Sequence, residues 1–149
     1  MKLNLREIIS IQTGKLFTRN GMDDIYKIYN KLYDTSFMTH ELPYICKQTQ
    51  PLLNEKFPQF NLECKSNSTK NLKTSLCKLG KLLKVLYFND SSECEIEAQM
   101  DSFFKSLISY YGNTFIFEIE EELKKLSTES SKSDAWNSIK DKAVIITTQ

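Results

Sequence analysis

The chain is poor in the residues on which most recognisable active sites depend. Its 149 residues hold one histidine, His40, two arginines, Arg6 and Arg19, and four glycines. With a single imidazole, and with Cys46, Cys64, Cys77 and Cys94 too widely spaced for a C-x-x-C pair, no zinc-ligand set is visible. The glycines form neither G-x-G-x-x-G nor G-x-x-x-x-G-K-[ST], and Thr13-Gly14-Lys15 is too short to cradle a phosphate. The usual nucleotide-dependent folds are thereby excluded. G-x-S-x-G and H-E-x-x-H are missing too. Scarce arginine argues against sequence-specific reading of DNA, because the guanidinium fork is what grips guanine bidentately. No run of about 18 apolar residues is present to span a membrane. Arg6 and Glu7 interrupt the apolar N-terminal stretch in a way that does not suit an ordinary secretion signal. The expectation is a cytoplasmic protein with no catalytic constellation, no metal and no cofactor. In that compartment the four cysteines are expected as buried free thiols.

What the chain does contain is ordinary for a globule: 40% hydrophobic and 26% charged residues. At 149 residues one domain, 1–149, is the economical reading, able to bury about two-thirds of the unfolded chain's surface. Lys and Arg number 20 and Asp and Glu 19, so no net field steers the molecule. Any electrostatic preference must be local.

Apolar periodicity predicts a mainly α fold of about five to six helices, with a small minor sheet at most. Leu5, Ile8 and Ile9 recur at helical spacing up to a stop at Gly14. Met22, Ile25, Tyr26, Tyr29, Leu32 and Tyr33 mark a second amphipathic helix. Asp23 and Asp24 stand in its first turn, where the helix dipole favours anions. Thr39 can cap a third helix, with Pro43 in its first turn and one face running from Leu42 to Phe57. Pro51 predicts a kink there, or two abutting helices near Gln50. Residues 1–58 make up this helical part. Residues 59–71 read as a loop opening with a short strand at Phe60 to Cys64. A helical hairpin occupies 72–126: a leucine stripe from Leu72 to Leu86, then a helix from the capping box at Ser92 and Glu95 to Gly112. Thr114 to Ile119 satisfies strand and helix alike. Residues 127–149 read as a serine-rich linker, a short helix from Ser133 carrying Trp136 and Ile139, and a β-branched terminal strand from Ala143 to Thr148.

Candidate sites are few. His40, beside Thr39 and Glu41, suits a general base oriented by Glu41, Asp34 or Asp24, as in a His40-dependent enzyme. The structural alternative has Thr39 as cap, Glu41 favouring the helix dipole and His40 on a backbone carbonyl. It is preferred, because adjacent side chains on a helix diverge by about 100° and no nucleophile or metal motif accompanies them. Lys70, Lys73, Lys78, Lys81 and Lys84 form one face that suits a phosphate backbone or, equally, plain solvent. Rings to stack bases are limited there to Phe88. Glu118, Glu120, Glu121 and Glu122 read as a solvated acidic face without calcium-loop patterning. Tyr26, Tyr29, Tyr33 and Tyr44, with Phe37, give the N-terminal half an aromatic density that fits a protein interface or half-buried packing.

The stretches Ser10-x-x-x-Gly14-x-Leu16, Met22-Asp23-x-Ile25-Tyr26-x-Ile28-Tyr29-Asn30 and Phe37-x-Thr39-His40-x-Leu42-Pro43 together carry a resemblance. They resemble an uncharacterised family of small tailed-phage and prophage proteins whose pattern runs Ser-x-x-x-Gly-x-Leu, then Phe-Thr-His-x-Leu-Pro. The likeness covers about residues 5 to 58, with a looser echo at Tyr111-Gly112, and Met38 interrupts the Phe-Thr-His run here. The resemblance implies a phage accessory protein acting in a bacterial cytoplasm and carries no activity with it. The resulting expectation is a non-enzymatic binder of a host protein or protein–nucleic-acid complex, inhibiting a defence system such as CRISPR. Its expected contact surface is Tyr26, Tyr29, Tyr33, Phe37, His40 and Glu41. Sequence-independent nucleic-acid binding by the five lysines, sequestration of a small nucleotide signal, and self-association stay open.

Overall fold

The computed structural model describes residues 1–147. Along them β1 (Lys2–Leu3) leads into α1 (Leu5–Thr13), α2 (Met22–Tyr33), a 3-10 turn at Thr39–Glu41 and α3 (Leu42–Lys56). A second 3-10 turn at Pro58–Phe60, α4 (Asn67–Phe88), α5 (Glu93–Tyr111), β2 (Phe115–Ile116) and α6 (Glu121–Thr147) follow. This is a single mainly α domain with a minimal sheet.

Local chemistry sets most of the helix ends. Asn4 and Glu7 exchange backbone-to-side-chain hydrogen bonds of 2.8 Å at the start of α1, and Gly14 closes it at φ +69°. Ser66 and Ser92 accept from the amides of Thr69 and Glu95 at 3.3 and 3.2 Å, capping α4 and α5. α1 is the centre of the core: Leu5, Ile8, Ile9 and Ile11 are fully buried, each side chain stabilising the fold by about 1.5–3 kcal/mol. α2, α3 and α5 pack around it, α6 lies against α3 and α2, and α4 joins through α5 and the Pro58–Phe60 turn.

β1 and β2 pair antiparallel, Lys2 opposite Ile116 and Leu3 opposite Phe115, and the Phe117 amide extends the ladder to Met1 O at 2.9 Å. Phe115, Phe117 and Ile119 point inward while Ile116 and Glu118 face water, so the extended alternative for Thr114 to Ile119 is the one realised. Beneath the sheet, Phe115 meets Phe57 and Phe60 edge-on at 5.5 and 5.4 Å.

Several expectations are corrected. α3 runs unbroken through Pro51, so no pair of helices abuts near Gln50. Pro51 lies on the exposed side of the helix, as does Lys47, the residue whose carbonyl a proline at 51 cannot serve as donor. No strand forms at Phe60 to Cys64; Phe60 ends a 3-10 turn and is buried, and the helix expected from Leu72 already begins at Asn67. The hairpin is α4 with α5, and the boundary placed between 126 and 127 falls inside α6. The supposed linker, short helix and terminal strand are one helix; of the strand, residues 143–147 are helical and Thr148 lies outside the described residues. Ser127, Ser131 and Ala135, at four-residue steps, form its buried side. Small side chains let α6 sit close on α3, and that packing overrides the loop preference of serine. The cysteines are free, but Cys64, Cys77 and Cys94 are exposed and Cys46 only half-buried, because Cys64 lies in the loop before α4 and Cys77 and Cys94 sit outside the apolar stripes of α4 and α5.

Candidate binding groove

α1's last turn, the start of the following loop from Gly14 to Leu16, α2 from Met22 to Tyr29 and α3 from Leu42 to Gln50 enclose a groove of about 550 Å³. Local backbone chemistry builds its mouth. Gly14, in the left-handed region, turns Lys15 and Leu16 out of the helix. The chain then dives inward: the Phe17 amide donates to Ser10 Oγ at 2.9 Å and the Phe17 carbonyl accepts from Arg6 Nε at 2.6 Å. Leu16 is thereby held outward at the opening while Phe17 joins the core.

The walls are apolar: Ile11 from α1, Met22, Ile25 and Tyr29 from α2, Leu42 and Pro43 from α3. The polar atoms among them are engaged within the protein. Ser10 Oγ donates to Arg6 O at 2.7 Å, Gln50 Nε2 to Ile11 O at 2.9 Å, and Cys46 Sγ to the same carbonyl at 3.6 Å. Burial, reinforced by neighbouring Cys46, pushes the Tyr29 phenol well above its ordinary pKa, so it stays neutral. Lys15 and Lys47 stand at the rim, and no carboxylate lines the groove. Such a cavity suits an apolar group flanked by negative charge.

The six residues expected to form a contact surface are not brought together on one. Tyr29 is a buried wall of the groove, and half-buried Tyr26 hydrogen-bonds Thr39 beside it. Tyr33, Phe37 and Glu41 are buried outside the groove lining, against α6. The tyrosines recur on the apolar stripe of α2, and that stripe faces inward. Glu41 accepts from the Met38 amide at 2.7 Å and from Lys132 Nζ at 3.1 Å, and Lys132 also lies 5.2 Å over the Phe37 ring. Burial alone raises the Glu41 carboxyl, yet the Met38 amide and the Lys132 ammonium together hold it below the usual range. Glu41 thus pins α6 to the 3-10 turn. Thr39 caps no amide, since its hydroxyl is the partner of Tyr26. His40 is exposed and makes no hydrogen bond among the described residues, which removes the backbone carbonyl expected for it. Asp24, one proposed orienting group, is occupied by the Asn20 amide at 3.0 Å.

The lysines fall where expected: Lys70, Lys73, Lys78, Lys81 and Lys84 are all exposed along α4. Sequence reasoning missed two assemblies. One is the groove itself, whose lining was present in the resemblance stretches but was read there as pattern and not as shape. The other is Arg6, 4% exposed, which joins α1 to Glu97 and Asp101 of α5. Its signal was an arginine inside an apolar run. Among the described residues, no group of three or more His, Cys, Asp or Glu is arranged to hold a metal ion. No helix of the described residues is long and apolar enough to cross a membrane.

Residues 3–63 match the profile of a domain of unknown function, DUF7736. The match takes in α1, α2 and α3 and every residue that lines the groove. No curated protein and no solved structure matches the chain.

Proposed function

We propose that this chain works as a binding protein, and that its docking element is the groove between α1, α2 and α3. One observation carries this reading. The stretches Ser10 to Leu16, Met22 to Asn30 and Phe37 to Pro43, which bear the phage-family resemblance, all contribute to this groove, and Lys15, Leu16, Met22 and Pro43 are exposed at it. Apolar side chains exposed around a cleft suit a partner that covers them. The lysines on the rim select an occupant: an apolar segment with acidic flanks, presented by a host protein or protein–nucleic-acid complex. The phage resemblance supplies the setting, an accessory protein in a bacterial cytoplasm that blocks a defence system such as CRISPR.

The test compares the wild-type chain with Leu16→Asp/Met22→Asp, changes at exposed positions that leave the core intact. Tagged wild type should retain one defined host protein, and the variant should retain about tenfold less, since two apolar contacts are replaced by charge. In a host whose interference system targets a given phage, wild type should restore plaquing and the variant should not. Equal retention by both proteins removes the groove from consideration. Retention without restored plaquing leaves the binding role standing and removes the anti-defence one.

A further inference from the structure

We infer that the outer ridge of α4 binds single-stranded nucleic acid, its lysines on the phosphates and its terminal aromatic rings on the bases. This goes beyond the groove, to which no residue of α4 contributes. α4 has 22 residues, among them Lys70, Lys73, Lys78, Lys81 and Lys84, and none of them is acidic. All five ammonium groups are exposed, and none joins a salt bridge among the described residues. Lys70, Lys73, Cys77, Lys81, Lys84 and Phe88 follow one another at steps of three and four, so they lie along one line on the solvent side. From Lys70 to Lys84 that line is about 21 Å long, at 1.5 Å of rise per residue. In a molecule of near-zero net charge this is a concentrated positive field.

The line ends on rings that the fold does not use. Phe88 is 88% and Tyr87 65% exposed, beside exposed Val85. Rings next to a lysine row decide among polyanions. A duplex keeps its bases stacked inside and offers exposed rings no face to meet. A single strand presents unstacked bases, each of which can lie on an aromatic ring while the backbone follows the ammonium groups. An anionic membrane also attracts lysine and phenylalanine, but a helix lying in that interface has to sink its apolar face. The apolar face of α4, through Leu72, Leu76 and Leu79, is already buried against the core. Lysine in place of arginine fits a strand held by charge and stacking without reading its sequence.

Fluorescence anisotropy of a labelled oligothymidylate across a salt series tests this on the full chain. Wild type should bind at low salt, with a slope of log K on log salt of about −3.5, the value for five phosphate contacts on a single strand. Lys70→Gln/Lys73→Gln/Lys81→Gln/Lys84→Gln should flatten the slope to about −1. Phe88→Ala should weaken binding about tenfold at every salt concentration and leave the slope unchanged. Leu16→Asp/Met22→Asp should bind the oligonucleotide as wild type does, which separates this surface from the groove. The inference is overturned by no binding at low salt, by tighter binding of duplex than of single strand, or by phosphatidylserine vesicles binding where the oligonucleotide does not. It is equally overturned if Phe88→Ala matches wild type while far-UV circular dichroism shows both folded.

Discussion

Replacing Arg6 with methionine measures what the buried guanidinium contributes. Arg6 donates Nε to Phe17 O at 2.6 Å, one terminal nitrogen to Glu97 at 2.5 Å and Asp101 at 3.1 Å, and the other to Glu97 at 3.1 Å. Methionine keeps most of the aliphatic stem and removes the guanidinium, which lies 5.6 Å from the centre of the Phe104 ring, so the loss is mostly polar. The Phe17 carbonyl, in a buried loop, is left without its donor, at a cost of about 1–3 kcal/mol. The carboxylates lose less. Glu97 and Asp101 keep 32% and 46% of their side-chain surface in water, and Arg19 still reaches Asp101 at 3.0 Å. Their contribution is discounted to about 1 kcal/mol together. The sum, about 2–4 kcal/mol, falls somewhat below the value for breaking a wholly buried pair and is a large share of a typical domain's stability. Urea unfolding followed by far-UV circular dichroism should show the midpoint about 1–2 M lower with an unchanged slope. Arg6→Lys restores charge without the fork and should recover about half of the loss. A methionine variant within about 0.5 kcal/mol of wild type would refute the reasoning, as would a lysine variant equal to wild type.

Glu41 and Glu97 are both held below the ordinary carboxylate range, Glu97 chiefly by its hydrogen bond to Arg6. Their stabilisation is present above the unfolded pKa of about 4.3 and is lost as pH falls through the lower folded values. Glu7, raised by burial, has the opposite sign and blunts the effect. Lys132→Met should therefore lower Tm at pH 7, with the gap to wild type closing below about pH 4; a gap of constant size down to pH 3 would exclude the Glu41 pair as its cause. Ser131 Oγ is buried with no hydrogen-bond partner among the described residues. Ser131→Ala removes that atom and raises helix propensity, so stability should rise by about 1 kcal/mol and Tm by about 2–4 °C. A calorimetric scan showing a lower Tm would mean that the hydroxyl has a partner after all.

Where one apolar stripe met one core, the sequence was sufficient to find the element. α1 buries Leu5, Ile8 and Ile9 and α2 buries Ile25, Tyr29, Leu32 and Tyr33 of the stripes that announced them, while α1 and α5 stop at Gly14 and Gly112 for reasons visible in the glycines. α6 was illegible because its logic is inverted. Serines and alanine face α3 while Leu126 and Trp136 face water, so periodicity pointed nowhere and serine read as a linker. The contact surface failed for a related reason. A tyrosine stripe looks the same whether its rings cover a partner or a core, and Tyr29 and Tyr33 cover the core.

Composition, periodicity and capping, all of them local, determined a mainly helical single domain, its first five helices and the exposed lysine row, since each depends on a residue and neighbours a few positions away. Tertiary structure alone decided the rest. It set α6 on α3, paired Glu41 with Lys132 across 91 residues, drew Arg6 to α5, and closed three separated stretches around one groove. Those outcomes depend on which surfaces fill one another at close packing, and spacing along a chain carries no record of that.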